Sequence, residues 1–216
     1  MVSKAEQRKI GARNSRKGKR NERRVANLLT EWAGQDFRRR RVEGRETSVV
    51  LRESTSDIIM SGGEIIFSVE AKAVKGFSMD ALLTSPMTNL FTGWWAQTNW
   101  DARVLTEITK IKRYPFLIFK PAAAFTWLAI SLHAFEDKVL KPSAEFNGQE
   151  VWFPHLRFEH YRNSGPIEYN ISQSKKNKDM RTFELHPLIF CRWKDFAANV
   201  DPQSICVPND QPLSNS

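Results

Sequence analysis

The chain has 216 residues, 41% apolar and 26% charged, with a net charge of +9. That length suits one domain with a genuine hydrophobic core, and the composition is that of an ordinary soluble protein. Two cysteines outside CxxC spacing, Cys191 and Cys206, exclude a disulfide framework and read as structural thiols in a reducing compartment. No apolar run approaches the roughly 18 residues needed to cross a bilayer. The basic start is followed by no apolar stretch of the secretory kind, so the expectation is a cytoplasmic protein without membrane contact.

The charge is unevenly spread. Residues 1–41 hold 14 Lys/Arg against 4 Asp/Glu, leaving 19 basic and 20 acidic residues in the rest. This pattern reads as a polyanion-binding arm joined to a near-neutral domain. A solubilising tail is the competing reading.

In chain order, residues 1–18 read as a basic arm that orders on nucleic acid. A helix is predicted from about Lys19 to Ala33, with Val25, Leu28, Leu29 and Trp32 in one apolar stripe and Gly34 at the C-cap. Glu22 falls on the inward side of that helix, and Arg23, Arg24 and Asn27 point away. Arg38 to Arg41 are extended and strongly basic. Residues 42–56 are a polar loop or exposed strand. Asp57 to Met60 is a short apolar strand, Ser61-Gly62-Gly63-Glu64 a turn, and Ile65 to Lys72 a second strand. Residues 78–110 are mainly helical, interrupted at Pro86 and Gly93. Tyr114–Lys120 and Phe125–Leu132 are buried-type strands. Beyond Lys141 the pattern suggests a strand region from Trp152 to Phe158 and a polar loop over Ser172–Arg181. A strand at Leu188–Arg192 and a short helix at Lys194–Asn199 follow, with a loose tail after Asp201. The division expected is an arm over residues 1–18, an α/β core over 19–140 and a C-terminal elaboration over 141–216.

The chemistry is carried by the folded-back strands. Glu70 and Lys72 are two apart on a strand and so share a face. Asp57 opens the preceding strand, and the Gly62-Gly63 turn would bring it beside them. Such converging charges need a compensating partner, and a divalent cation supplies it. Mg²⁺ prefers carboxylate oxygens and leaves positions for phosphate. Asp57 and Glu70 would hold Mg²⁺, with Mn²⁺ able to substitute. The Ala71 carbonyl is a further candidate ligand, and Glu22 one that acts directly or through water. Lys72 would position the attacking water or stabilise charge on the phosphate. A solvated strand end with a surface ion pair is the bland alternative. Glu136-Asp137-Lys138 repeats the Glu-x-Lys pattern without an Asp-led strand before it and reads as a solvated charge run.

Gly18-Lys19-x-x-Glu22-Arg23, Ser54-Thr55-Ser56-Asp57 and Val69-Glu70-Ala71-Lys72 together resemble the PD-(D/E)XK nucleases. Within that superfamily they are most similar to Holliday junction resolvases of the archaeal and RecU-like types. The likeness covers roughly residues 16–75. It implies a restriction-endonuclease-like core, a central mixed β-sheet flanked by helices. A helical Glu (Glu22), an Asp (Asp57) and a Glu-x-Lys strand (Glu70, Lys72) would build the metal site. Ser56 stands where the pattern usually has Pro. The implied activity is Mg²⁺-dependent, structure-selective cleavage of branched DNA by a homodimer, in a phage or its bacterial host. Another nuclease of the superfamily, of restriction or repair type, and a non-catalytic basic DNA-binding protein are the alternatives. Arg13, Arg16, Lys17, Lys19, Arg20, Arg38, Arg39, Arg40, Arg41 and Lys75 are the candidate phosphate contacts.

Other motifs are weaker. His133, His155, His160 and His186 have no metal-binding spacing, and no Gly-rich phosphate loop is present. Ser54 and Thr55 could touch phosphate or be turn residues. Trp94, Trp95 and Trp100 could stack on unpaired bases, but core or interface is favoured. Gln97 could be a helical site residue or an exposed amide. Lys175, Lys176 and Lys178 could contact phosphates or lie in an exposed loop.

Overall fold

A computed structural model describes residues 3–40, 56–74, 77–78, 90–121, 125–142, 145–146, 149–150, 155–158, 167–170 and 180–207. Arg41, Ser54, Thr55, Lys75, Pro86, His160 and the Lys175–Lys178 loop, all singled out from sequence, lie outside the described residues.

Helix α1 spans Lys4–Ala33. Its start corrects the expectation for residues 4–18, which are helical rather than an arm awaiting DNA. Two local causes account for this. Ser3 and Glu6 form a reciprocal capping box, Ser3 Oγ accepting from Glu6 N at 3.2 Å and Ser3 N donating to Glu6 Oε2 at 2.9 Å. The helix is also already nucleated by its packed C-terminal half, so extension through Arg, Lys, Gln and Ala carries no new nucleation cost. Residues 6–17 are exposed all round. From Asn21 onward one face is buried, with Val25, Ala26, Leu29 and Ala33 at 4% exposure or less. Gly34 ends the helix in the left-handed region at φ 65°, as its sequence position predicts.

The strands are β1 Phe37–Arg39, β2 Ile58–Met60, β3 Glu64–Ile65, β4 Phe67–Val74, β5 Tyr114–Pro121, β6 Trp127–Ser131, β7 Glu145–Phe146, β8 Gln149–Glu150, β9 Leu156–Phe158, β10 Ile167–Asn170, β11 Met180–Phe183, β12 Leu188–Arg192 and β13 Cys206–Val207. The other α-helices among the described residues are α2 Leu90–Thr109, α3 His133–Glu136 and α4 Trp193–Asn199. Among the described residues, seven strands form one sheet in the order β1-β2-β4-β5-β6-β12-β9. The β4–β5 pair is parallel and the others antiparallel, so the sheet is mixed. The chain is thus α/β with helices on the sheet, consistent with the restriction-endonuclease-like fold that the resemblance implied. Two of the seven strands, β9 and β12, come from beyond residue 141.

Strand β5 shows why the sheet is well buried. Phe116 and Ile118 join the apolar cluster under α1 with Val25, Leu29 and Ile130. Leu117 and Phe119 join the opposite cluster with Phe91, Trp95 and Phe190 of α2 and β12. Alternation along one strand therefore feeds both faces. Trp95 is fully buried and its Nε1 donates to the His186 carbonyl at 2.9 Å. Trp94 and Trp100 pack against the same cluster. Trp95 is a core residue and Trp94 and Trp100 are half-buried at its edge, in line with the favoured core or interface reading.

The expected strand Ile65–Lys72 is split at Ile66. There the backbone N–H donates to Ile205 O and the carbonyl accepts from Tyr114 N, so one residue serves two partners and β4 begins at Phe67. The described helices include none long and apolar enough to cross a membrane.

Candidate active site

Antiparallel pairing of β2 with β4 sets Ile58 opposite Val69, and therefore Asp57 opposite Glu70. The reversal between the strands passes through Gly62 at φ 73°, a left-handed position that favours glycine. Ser56, buried to 5% exposure, fastens the junction. Its Oγ accepts from Val69 N at 2.8 Å and lies 2.7 Å from Ile58 O and 3.0 Å from Val69 O. Asp57 N donates to Val69 O, and Asp57 Oδ2 accepts from Ala71 N at 3.0 Å. The serine at the position where the resemblance leads one to expect proline thus supplies a hydroxyl clasp that orients the aspartate beside it.

Glu70 and Lys72 project from one face of β4, and Lys72 Nζ donates to Glu70 Oε1. The same ammonium donates to Gln97 Oε1 of α2 at 2.9 Å, which resolves Gln97 as a site residue. One turn further along α2 lies Asp101, at 3% exposure. Asp101 was missed in the sequence. Its only signal there is the spacing from Gln97, which places both on one helix face.

Burial and like charge shape this cluster. Asp57 is pushed up to about 8, first by burial and then by Glu70. Burial raises Glu70, and Asp101 adds to the rise against the pull of Lys72. Asp101 is lifted to about 7 by burial, with Asp57 contributing. Burial opposes the Lys72 charge, but the ion pair and hydrogen bond with Glu70 outweigh it and raise the lysine. Three carboxyls compete for one ammonium, a cluster short of positive charge.

The cleft above these groups has a volume of about 840 Å³ and is walled by α1. Glu22, Asp57, Glu70, Ala71 and Lys72, the five residues expected at the centre, all line it. Glu22 is also paired with Arg39 at 3.4 Å. Of the basic residues assigned to DNA, Arg13 and Lys17 face this cleft. Arg16 and Arg20 border an adjoining groove of the helix surface that Arg13 and Lys17 also line, and Lys19 is exposed outside the cleft. Arg38 and Arg39 border a separate groove with Arg23 and Asn27, and Arg40 is half-buried. Lys120, unflagged by sequence, also lines the cleft, because parallel pairing sets it beside Ala73. Arg24, expected to point away, is half-buried. It donates to Asn21 Oδ1 at 3.1 and 3.3 Å and to Thr126 Oγ1 at 3.0 Å, tying α1 to the chain before β6.

Two carboxylates on adjacent strands suit Mg²⁺, which is held by one or two carboxylates and keeps several waters. Among the described residues no group of three or more His, Cys, Asp or Glu has metal-cage geometry, so an all-protein cage is not what is built. The excess of buried negative charge fits a hard cation entering between Asp57 and Glu70.

A mixed sheet with an Asp at the start of one strand and Glu-x-Lys on its neighbour, under a helix bearing Glu, defines a nuclease of the PD-(D/E)XK class. The family of phage putative PDDEXK endonucleases matches residues 13–205. The chain belongs to that family. No curated protein and no solved structure matches it.

Proposed function

We propose that this endonuclease cleaves DNA in a Mg²⁺-dependent reaction, with Mn²⁺ able to substitute, and acts on branched DNA as a homodimer. The observation that carries the reading is the meeting of Asp57, Glu70 and Lys72 at the floor of one open cleft. Asp57 and Glu70 would hold the cation, with the Ala71 carbonyl and Glu22 as further donors. A divalent cation there supplies Lewis acidity at the phosphoryl oxygen and a more acidic water. Lys72, kept charged by its acidic neighbours, serves as a donor to the phosphate or to the attacking water rather than as a base. Gln97 Oε1 accepts from the Lys72 ammonium and holds it at the cleft. Arg13, Lys17 and Lys120 at the walls would meet backbone phosphates and set the register of the strand without reading its sequence.

The preference for branched DNA follows the resolvase resemblance, and two symmetric cuts would require a two-fold dimer. The test is cleavage of a synthetic four-way junction, the matching linear duplex and single strands, with Mg²⁺, Mn²⁺ or chelator. Metal-dependent cutting with the junction preferred is expected. Equal cutting of duplex and junction removes the branched substrate but leaves the nuclease. Binding without cutting under any metal condition would favour a DNA-binding protein on a nuclease fold.

A further inference from the structure

We propose that Asp101 is a positioning residue that receives the Lys72 ammonium from Glu70 when a divalent cation enters the site. The inference rests on the divalent-cation reading above. Lys72 Nζ now occupies Glu70 Oε1 and takes Gln97 Oε1 as its second acceptor at 2.9 Å. A cation held by Asp57 and Glu70 draws on the Glu70 carboxylate as well and repels the ammonium beside it. Glu70 has a second oxygen, but two positive charges on one carboxylate repel each other, and a second acid near the lysine relieves that repulsion.

Asp101 is that acid. It stands one turn beyond Gln97 on α2, at 3% exposure. Its helix packs against β4, and its carboxylate charge acts on Lys72, Asp57 and Glu70. It does not line the cleft, whereas Gln97, Lys72, Glu70 and Asp57 do. Asp101 is therefore buried away from the cleft that DNA would meet, and its route to the reaction is through the site residues it neighbours. An ammonium has three donors. Gln97 keeps one of them through the move, so a small rotation about the lysine stem exchanges Glu70 for Asp101. The exchange frees Glu70 for the metal and pairs a buried carboxyl that otherwise has a crowd of like charges. It also draws the lysine to a fixed place at the floor of the cleft.

The test is a double-mutant cycle read as Mn²⁺ affinity by calorimetry, with no DNA present. D101N in the parent protein is expected to weaken Mn²⁺ about ten-fold, in the range found for residues that orient metal ligands. In a K72M background the same change is expected to have little effect, because no ammonium remains to be displaced. An equal loss in both backgrounds would mean that Asp101 is only a nearby negative charge, and would overturn the proposal. No Mn²⁺ binding by the parent protein would remove the metal reading of the site itself. A crystal structure of the unsubstituted protein with Ca²⁺ gives an arm free of any folding defect in the variants. Lys72 Nζ should then be hydrogen-bonded to Asp101, and Lys72 still seated on Glu70 beside the bound ion would refute the exchange.

Discussion

Two polar clusters sit toward opposite ends of the sheet, and their chemistry differs. Toward the start of β5, Ser131 Oγ meets His186 Nδ1 at 2.8 Å, His186 N donates to Asn99 Oδ1 at 2.9 Å, and Trp95 Nε1 donates to the His186 carbonyl. Nearby, Tyr114 Oη donates to Asp137 Oδ2 at 2.6 Å and Lys112 pairs with the same carboxylate. Asp137 is exposed along with Glu136 and Lys138, as expected for a solvated charge run, and it holds these two partners at the surface. The groups here satisfy one another, and Asp137 is held below the usual carboxylate range by Lys112 and Tyr114. Toward the other end, Asp57, Glu70 and Asp101 crowd a single lysine and all three carboxyls are pushed up. A satisfied network stabilises a fold, whereas one short of a counter-charge is poised to take a ligand.

Substitutions that separate cleavage from stability would break this comparison most directly. Asp57→Ala or Lys72→Ala should lower the cleavage rate by about a hundred-fold to a thousand-fold while gel-shift binding of DNA persists. Ser131→Ala should leave cleavage in place and lower the unfolding midpoint in urea. Unchanged cutting by either site variant would end the assignment of the cluster to catalysis.

The pH dependence of stability tests both clusters, because they pull in opposite directions. His186 is pushed down to about 4, chiefly by burial, with His133 and Lys112 contributing. Its unfolded value is about 6.5, so the unfolded chain binds the proton first. Stability is therefore lost as pH falls from about 6.5 through 4, by up to about 3 kcal/mol. An NMR titration should find His186 neutral across that interval, and an ordinary histidine titration there would refute the buried assignment. The site acids act at the other end of the scale. Their folded values lie above their unfolded ones, so in chelator their contribution is present in acid and lost as pH rises through about 8 for Asp57. Asp57→Asn should relieve this crowding and raise stability at pH 8 in chelator, on the order of 1–2 kcal/mol. Added Mg²⁺ should raise the Tm of the parent protein and not that of the variant.

The smallest effects are expected on α1. Arg13→Ala with Lys17→Ala should flatten the salt dependence of DNA binding by about two phosphate contacts. Arg16→Ala with Lys19→Ala, neither of which lines the cleft, should change it less. Equal slopes for the two pairs would mean that the exposed helix binds as a diffuse charge and not through its cleft face.

The site was legible where its residues are close along the chain. Glu70 and Lys72 share a face because strand periodicity is local, and Asp57 joins them through a reversal that Gly62 marks in the sequence. The inward side of Glu22 followed from its helical spacing to Val25 and Leu29. The helical state of residues 4–18 was masked by their charge, because a basic polar segment lacks the apolar periodicity by which a packed helix is recognised. Ser56 looked like a relaxed proline position, and only its contact with Val69 reveals a clasp.

Local sequence is enough for the two strands, the reversal between them and the chemistry of the three central side chains, because turn geometry and alternation are set by neighbouring residues. Tertiary structure alone decided which groups stand behind them. Gln97 reaches Lys72, with Asp101 one turn beyond it, only because α2 packs on β4 and β5. Lys120 reaches the cleft only because β5 runs parallel to β4. The central strands draw Leu188 to Arg192 from the far end of the chain for the same reason. Pairings between distant segments are chosen by the burial of whole faces, and no local pattern carries that information.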